Sequence, residues 1–302
     1  MTSSHFAHSL NRRSPWQSKL CVALAALWIG SSLLNAPVSA AMFSASIDPT
    51  LYGNLDQANV PNIGGCACGP TSLVNSLVYL QQEAPSLYGD GTALVPYDDD
   101  GMPPTQADMA AVATILAGAG YMDTANNGGT FIEDFIFGKT KYIEEKAPGK
   151  TIYAAQVALQ WRDGINNTGG SQPTHQVPKP NWVQDQTAAT LDFIYKQIKA
   201  REDVEIFLEY DTGSSHYLTV TGIMYDDANN TGKLNFIDPL GGMAGTTNIT
   251  GVVGGVIKIA YGGGASVYHA VSESPVPEPA AIALMLIALI GLCLARRQAM
   301  HR

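Results

Sequence analysis

Near residue 200 the spacing of the apolar residues changes from a helical repeat to a strand repeat, and that switch limits the folds open to the chain. Ahead of it, Pro70 to Gln82 carries Leu73, Val74, Leu77, Val78 and Leu80 at helical spacing, with Pro70 tolerated in the first turn. Thr105 followed by Asp108 gives a capping signature for a second helix, with Met109, Val112, Ala113 and Leu116 on one face and an end at Gly118 or Gly120. A third helix is predicted near Phe131 to Glu145, and a fourth from Thr187 to Ala200 through Leu191, Ile194, Tyr195 and Ile198. Beyond that point Val204 to Tyr210, His216 to Tyr225, Leu234 to Ile237, Val252 to Tyr261 and Val267 to Val271 alternate or run apolar between turn residues. This pattern predicts a largely antiparallel sheet. No repeat and no long linker divides the region, so the reading is one α+β domain with N-terminal helices packed on a C-terminal antiparallel sheet.

The 302 residues, 46% of them hydrophobic, suffice for such a core, but the two ends read as address labels. Residues 1–40 hold Arg12, Arg13 and Lys19, an apolar run from Leu20 to Leu34, and the small-residue site Ala36-Pro37-Val38-Ser39-Ala40. They read as a secretory signal peptide cut after Ala40; the general export route is favoured over a twin-arginine route, and signal peptidase is the processing partner. Residues 276–302 hold Val276-Pro277-Glu278-Pro279, the apolar segment Ala280 to Ala295, then Arg296 and Arg297. As a helix that segment rises ~24 Å, short of the roughly 30 Å hydrocarbon core, which makes it a marginal membrane anchor with its arginines on the cytoplasmic side. The order Pro-Glu-Pro, apolar helix, basic end resembles the PEP-CTERM sorting tail of Gram-negative bacteria. That resemblance implies an exosortase partner, transient anchoring in the inner membrane, and release toward the cell surface.

Between the ends, residues 41–275 carry 11 basic and 25 acidic residues, a net charge of −14, which argues against nucleic acid as a partner. Only Cys66 and Cys68 remain there, and one intervening residue makes a bond between them strained, so a free thiol is expected in an exported domain. Cys68 opens Cys68-Gly69-Pro70-Thr71-Ser72 at the start of the first helix. A thiol acts as thiolate, its pKa of about 8.5 falls at a helix N-terminus, and the free N–H groups there also suit an oxyanion. A nucleophile of this kind needs a histidine as base and acid. Of His175, His216 and His269, the first and last read as surface or packing residues. His216 starts a strand after Gly213-Ser214-Ser215, where a ligand has access. Asp238, in Phe236-Ile237-Asp238-Pro239, ends the next strand, from which an antiparallel neighbour returns a carboxylate to His216 to orient it.

The order of Cys68-Gly69-Pro70-Thr71-Ser72, then Ser215-His216-Tyr217-Leu218-Thr219-Val220-Thr221-Gly222, then Ile237-Asp238-Pro239 resembles the C39-like, papain-fold cysteine peptidases over roughly residues 55–242. The resemblance implies a Cys68–His216–Asp238 triad and acyl transfer through a thioester, usually on a peptide bond. Papain-like folds commonly place an oxyanion glutamine six residues ahead of the cysteine. Here that position is Asn62, and the nearest glutamine is Gln57, whose longer side chain makes it the favoured candidate. Cys66 is read as a packed thiol, with a resolving role for Cys68 the lesser reading.

Asp227-x-Asn229-x-Thr231-Gly232 resembles the start of a calcium loop but sits between strands, where hairpin chemistry explains it, and Asp98 to Asp100 reads as a solvated loop. No phosphate loop or zinc-like cluster is present in the sequence, so no cofactor is expected. The expected function is an exported thiol hydrolase acting on peptide or protein. Its rivals are a non-catalytic surface or biofilm-matrix protein on the same scaffold, and a related cell-wall amidase or transferase.

Overall fold

The helix that follows Ala67 is buried on every side. α1 (Cys68–Glu83) buries each residue from Gly69 to Gln81, so its polar side chains need partners inside the protein. Several are met by distant segments. Ser72 Oγ lies 3.0 Å from Thr219 Oγ1, Asn75 Oδ1 accepts from Leu55 N–H at 2.8 Å, and Gln81 Oε1 accepts from Leu94 N–H at 2.8 Å. In this computed structural model, which describes residues 41–277 apart from 90, 98–102 and 164–171, five further helices follow. They are α2 (Pro85–Tyr88), α3 (Gln106–Ala117), α4 (Thr124–Asn127), α5 (Ile132–Lys146) and α6 (Leu191–Lys199). The Thr105–Asp108 capping box forms, and α3 ends at Gly118. Thr190 caps α6, so that helix begins later than Thr187. The signal segment, the Asp98–Asp100 run and the apolar Ala280–Ala295 segment lie outside the described residues.

The strands overturn the α+β reading of N-terminal helices on a C-terminal antiparallel sheet, and the papain-like fold with it. Among the described residues the chain is mixed α/β and mostly β, with nine strands in one sheet. β1 (Met42–Ser46), β2 (Thr151–Val157) and β3 (Val183–Asp185) come before α6, and β2 pairs with β3 in parallel. After α6 come β4 (Asp203–Tyr210), β5 (Ser215–Asp226), β6 (Thr231–Asp238), β7 (Met243–Val253), β8 (Val256–Ile259) and β9 (Ala265–Pro275). Three strands therefore accompany the helices ahead of residue 200, where no strand period was legible.

The pairings of the last six strands close on themselves. β4 pairs with β5, β5 with β6, β6 with β7, β7 with β8, β8 with β9, and β9 again with β4, all antiparallel. Closure leaves those six strands without a free edge along the ring, while β1 extends β5 and β2 extends β9. Two cores lie on the two faces of β4 and β5. Ile206, Leu208, Leu218 and Val220 pack with Leu234, Phe236, Ile257 and Val267 on one side, and Tyr217 and Phe207 pack with the helices on the other. β4 is buried on both faces, which puts Asp203 and Glu205 out of water together with its apolar residues. The Asp227–Gly232 stretch forms the tight β5–β6 connection, where Asp226 accepts from Ala228 N–H at 2.9 Å and from Asn229.

Candidate active site

Cys68 stands at the first position of α1, and no side chain caps that helix, so the N–H groups of its first turn meet no side-chain acceptor. The next residue is glycine for a steric reason. A Cβ on Gly69 would lie 2.7 Å from Thr130 Oγ1 and 3.0 Å from Thr130 Cβ, so the turn that presents the thiol can approach its neighbour only without a side chain. Cys68 is half-buried and unbridged.

His216 lies at the start of β5, where its backbone pairs with Leu208, and Asp238 closes β6. The strand pairing brings them together, with His216 Nε2 2.8 Å from Asp238 Oδ1. That bond occupies Nε2, and the Cys68 thiol stands close enough to the ring to favour its charged form. Burial opposes a charge on His216, yet the bonds to Asp238 and Cys68 outweigh it and raise its pKa to about 9. Burial would likewise raise the pKa of Asp238. Hydrogen bonds from His216, Tyr261 and Leu240 N–H reverse that and hold it below the usual carboxylate range. A protonated His216 between Asp238 and the Cys68 sulfur is placed to stabilise negative charge on that sulfur.

Gln57 and Asn62 are placed very differently. Gln57 is buried in a short 3-10 turn capped by Asp56, and its N–H donates to Pro239 O at 2.8 Å, which ties it to the loop that carries Asp238. Its Oε1 has no partner. Asp56 reinforces the same tie by accepting from Gly241 N–H at 3.2 Å. Asn62 is exposed and takes a left-handed backbone, φ 67°, in the following turn. Cys66 is half-buried, and its thiol faces Ile63 O at 3.4 Å.

Two residues with no signal in the sequence complete the surroundings. Tyr261 donates to Asp238 Oδ2, and its ring lies parallel to His216 with centroids 6.1 Å apart. Tyr210 lies 6.4 Å from His216 and 5.8 Å from Tyr261, so the three rings form one cluster. Both read in sequence as ordinary strand aromatics. The other histidines have other partners, and His269 also lines the cavity next to Ser215. His175 pins its loop by bonding Asp134 Oδ1 at 2.9 Å and stacking on Phe137 at 4.1 Å, while His269 is buried on β9, where Ala158 N–H donates to its Nδ1 at 3.0 Å.

A cavity of about 210 Å³ opens beside this site, lined in part by Thr130, Phe131, Ile132, Leu159, Phe207 and Ser215. Thr130 bounds it next to Gly69, and Ser215 bounds it next to His216.

Residues 275–297 match the family described as the PEP-CTERM protein-sorting motif. No curated protein matches the chain. The motif supports export by an exosortase system, with processing during membrane transit and delivery toward the cell surface. Among the described residues no helix is long and apolar enough to cross a membrane.

Proposed function

We propose that the exported domain is a thiol hydrolase that cleaves an amide bond by acyl transfer, with Cys68 as nucleophile, His216 as proton shuttle, Asp238 as the orienting carboxylate and Gln57 as oxyanion donor. The observation that carries the reading is the placement of one histidine between a carboxylate, 2.8 Å away, and the thiol at a helix start. The order of the three residues matches the C39-like cysteine peptidases, which supports a peptide or protein substrate. In the resting pair the proton of Cys68 sits on His216, and the thiolate sulfur attacks the substrate carbonyl. The first-turn N–H groups of α1 and the Gln57 amide receive the oxyanion. His216 then protonates the departing amine, and water hydrolyses the thioester with His216 acting as base. Asp238 keeps Nε2 protonated and the ring aimed at the sulfur throughout.

The test is covalent trapping. A peptidyl vinyl sulfone incubated with the processed domain in a Cys66→Ser background should add once, at Cys68, and His216→Ala should suppress the addition. A folded domain that takes no adduct, yet binds a polysaccharide or a protein partner, contradicts the reading and favours the matrix role.

A further inference from the structure

Beneath α1, away from the thiol, four ionisable side chains share one dry pocket. Asp203 and Glu205 come from β4, Glu273 from β9 and Lys139 from α5, and none is more than 1% exposed. The carboxylates lie within 4.8 Å of one another, and Lys139 Nζ contacts both Glu205 and Glu273. With all four ionised, one ammonium would face three carboxylates, and burying unmatched charge is among the most costly arrangements a protein can hold. The pocket does little to offset it. Neither oxygen of Asp203 takes a hydrogen bond, and Glu205 Oε1 and Glu273 Oε1 are also unpartnered. Its walls are aromatic, with Phe135 5.8 Å from the ammonium and Tyr52, Tyr79 and Tyr217 close to the carboxylates.

We infer that this cluster is a self-modifying site, in which Lys139 and Glu273 condense to an amide bond that joins α5 to β9. An amide between them removes the ammonium and one carboxylate from the pocket together. Glu273 is the acceptor because Asp203 stands directly opposite it in the β4–β9 register, whereas Glu205 is opposite Val271. Burial, with Glu205 beside it, raises the pKa of Asp203 well above the carboxylate range, so it serves as a proton donor at neutral pH.

The step needs no co-reactant. Lys139 passes one proton to Glu273, which gives an amine and a carboxylic acid. The nitrogen lone pair attacks Glu273 Cδ, and Asp203 protonates the carboxyl oxygen as the N–Cδ bond forms. Asp203 then recovers a proton from the nitrogen while the C–O bond breaks and one water leaves. An ammonium and a carboxylate are converted to an amide and water, with Asp203 unchanged at the end.

Mass spectrometry of the processed chain under denaturing conditions tests this. The expected mass is one water below that of the sequence between its two termini, and digestion should give a branched peptide linking Lys139 to Glu273. Full sequence mass, or a branch at Glu205, overturns the inference. Lys139→Arg and Asp203→Asn should restore full mass. A folded Asp203→Asn chain that still forms the branch completely removes Asp203 from the step. Cys68→Ala should keep the deficit, since the bond forms without the thiol; loss of the deficit there contradicts self-modification while leaving the hydrolase reading intact.

Discussion

His216 and His269 sit on strands of the same sheet with almost no exposure, 7% and 2%, yet their surroundings drive them in opposite directions. Burial penalises the charged ring in both. At His216 a carboxylate and a thiol overcome that penalty, and the pKa rises to about 9. At His269 the ring gets only backbone help, with Arg162 adding to the penalty, and the pKa falls to about 4. Depth alone therefore distinguishes nothing here. The sign is set by partners, and of these two histidines only His216 has them.

The comparison breaks most sharply under substitution of the thiol. Cys68→Ala should reduce amide hydrolysis by about 10⁴-fold or more, while His269→Gln should leave it within a few-fold; equal losses measured by steady-state kinetics would erase the contrast. Asp238→Asn should reduce turnover by about 10²-fold and return the His216 pKa toward 6.5, read from the pH dependence of the ring protons by NMR.

Stability should follow opposite pH courses in the two regions. His216, with a folded pKa above its unfolded value of 6.5, stabilises the fold fully below about pH 6.5 and loses that contribution as pH rises through about 9. His269, with a folded pKa below 6.5, stabilises above pH 6.5, and its contribution disappears as pH falls toward about 4. Each is worth at most about 3.5 kcal/mol at 1.4 kcal/mol per pH unit. Denaturant titrations should show His216→Gln flattening the alkaline limb and His269→Gln the acid limb; a single variant that flattens both would contradict the separate causes. Tyr261→Phe should have the smallest effect, about 1 kcal/mol or roughly fivefold in kcat/KM, because Asp238 keeps its bonds to His216 and Leu240.

The elements legible in the sequence were those whose signal is local. Thr105 and Asp108 announce α3 through a cap, and the apolar spacing from Leu73 to Leu80 marks α1. What the sequence did not disclose depends on distant partners. β7 is rich in Thr, Gly and Asn and reads as loop until β6 and β8 pair with it, and β2 carries no clean alternation. The switch in period near residue 200 is real for β4 to β9, but it conceals β1, β2 and β3 and gives no hint that six strands close into a ring. Around the proposed site, the meeting of His216 and Asp238 was readable from adjacent strand ends, and the position of Cys68 from the helix that follows it. Gln57 and Asn62 were separable only by burial, and Tyr261 only by its bond to Asp238.

The central claim, that His216 activates Cys68, is tested most directly by the rate of iodoacetamide alkylation against pH in a folded Cys66→Ser domain. The account predicts fast modification of Cys68 at neutral pH, held nearly level across the range in which His216 stays protonated, with His216→Ala slowing it by about 10²-fold. A slow reaction that rises through the range of an ordinary thiol and is unchanged in His216→Ala would contradict it.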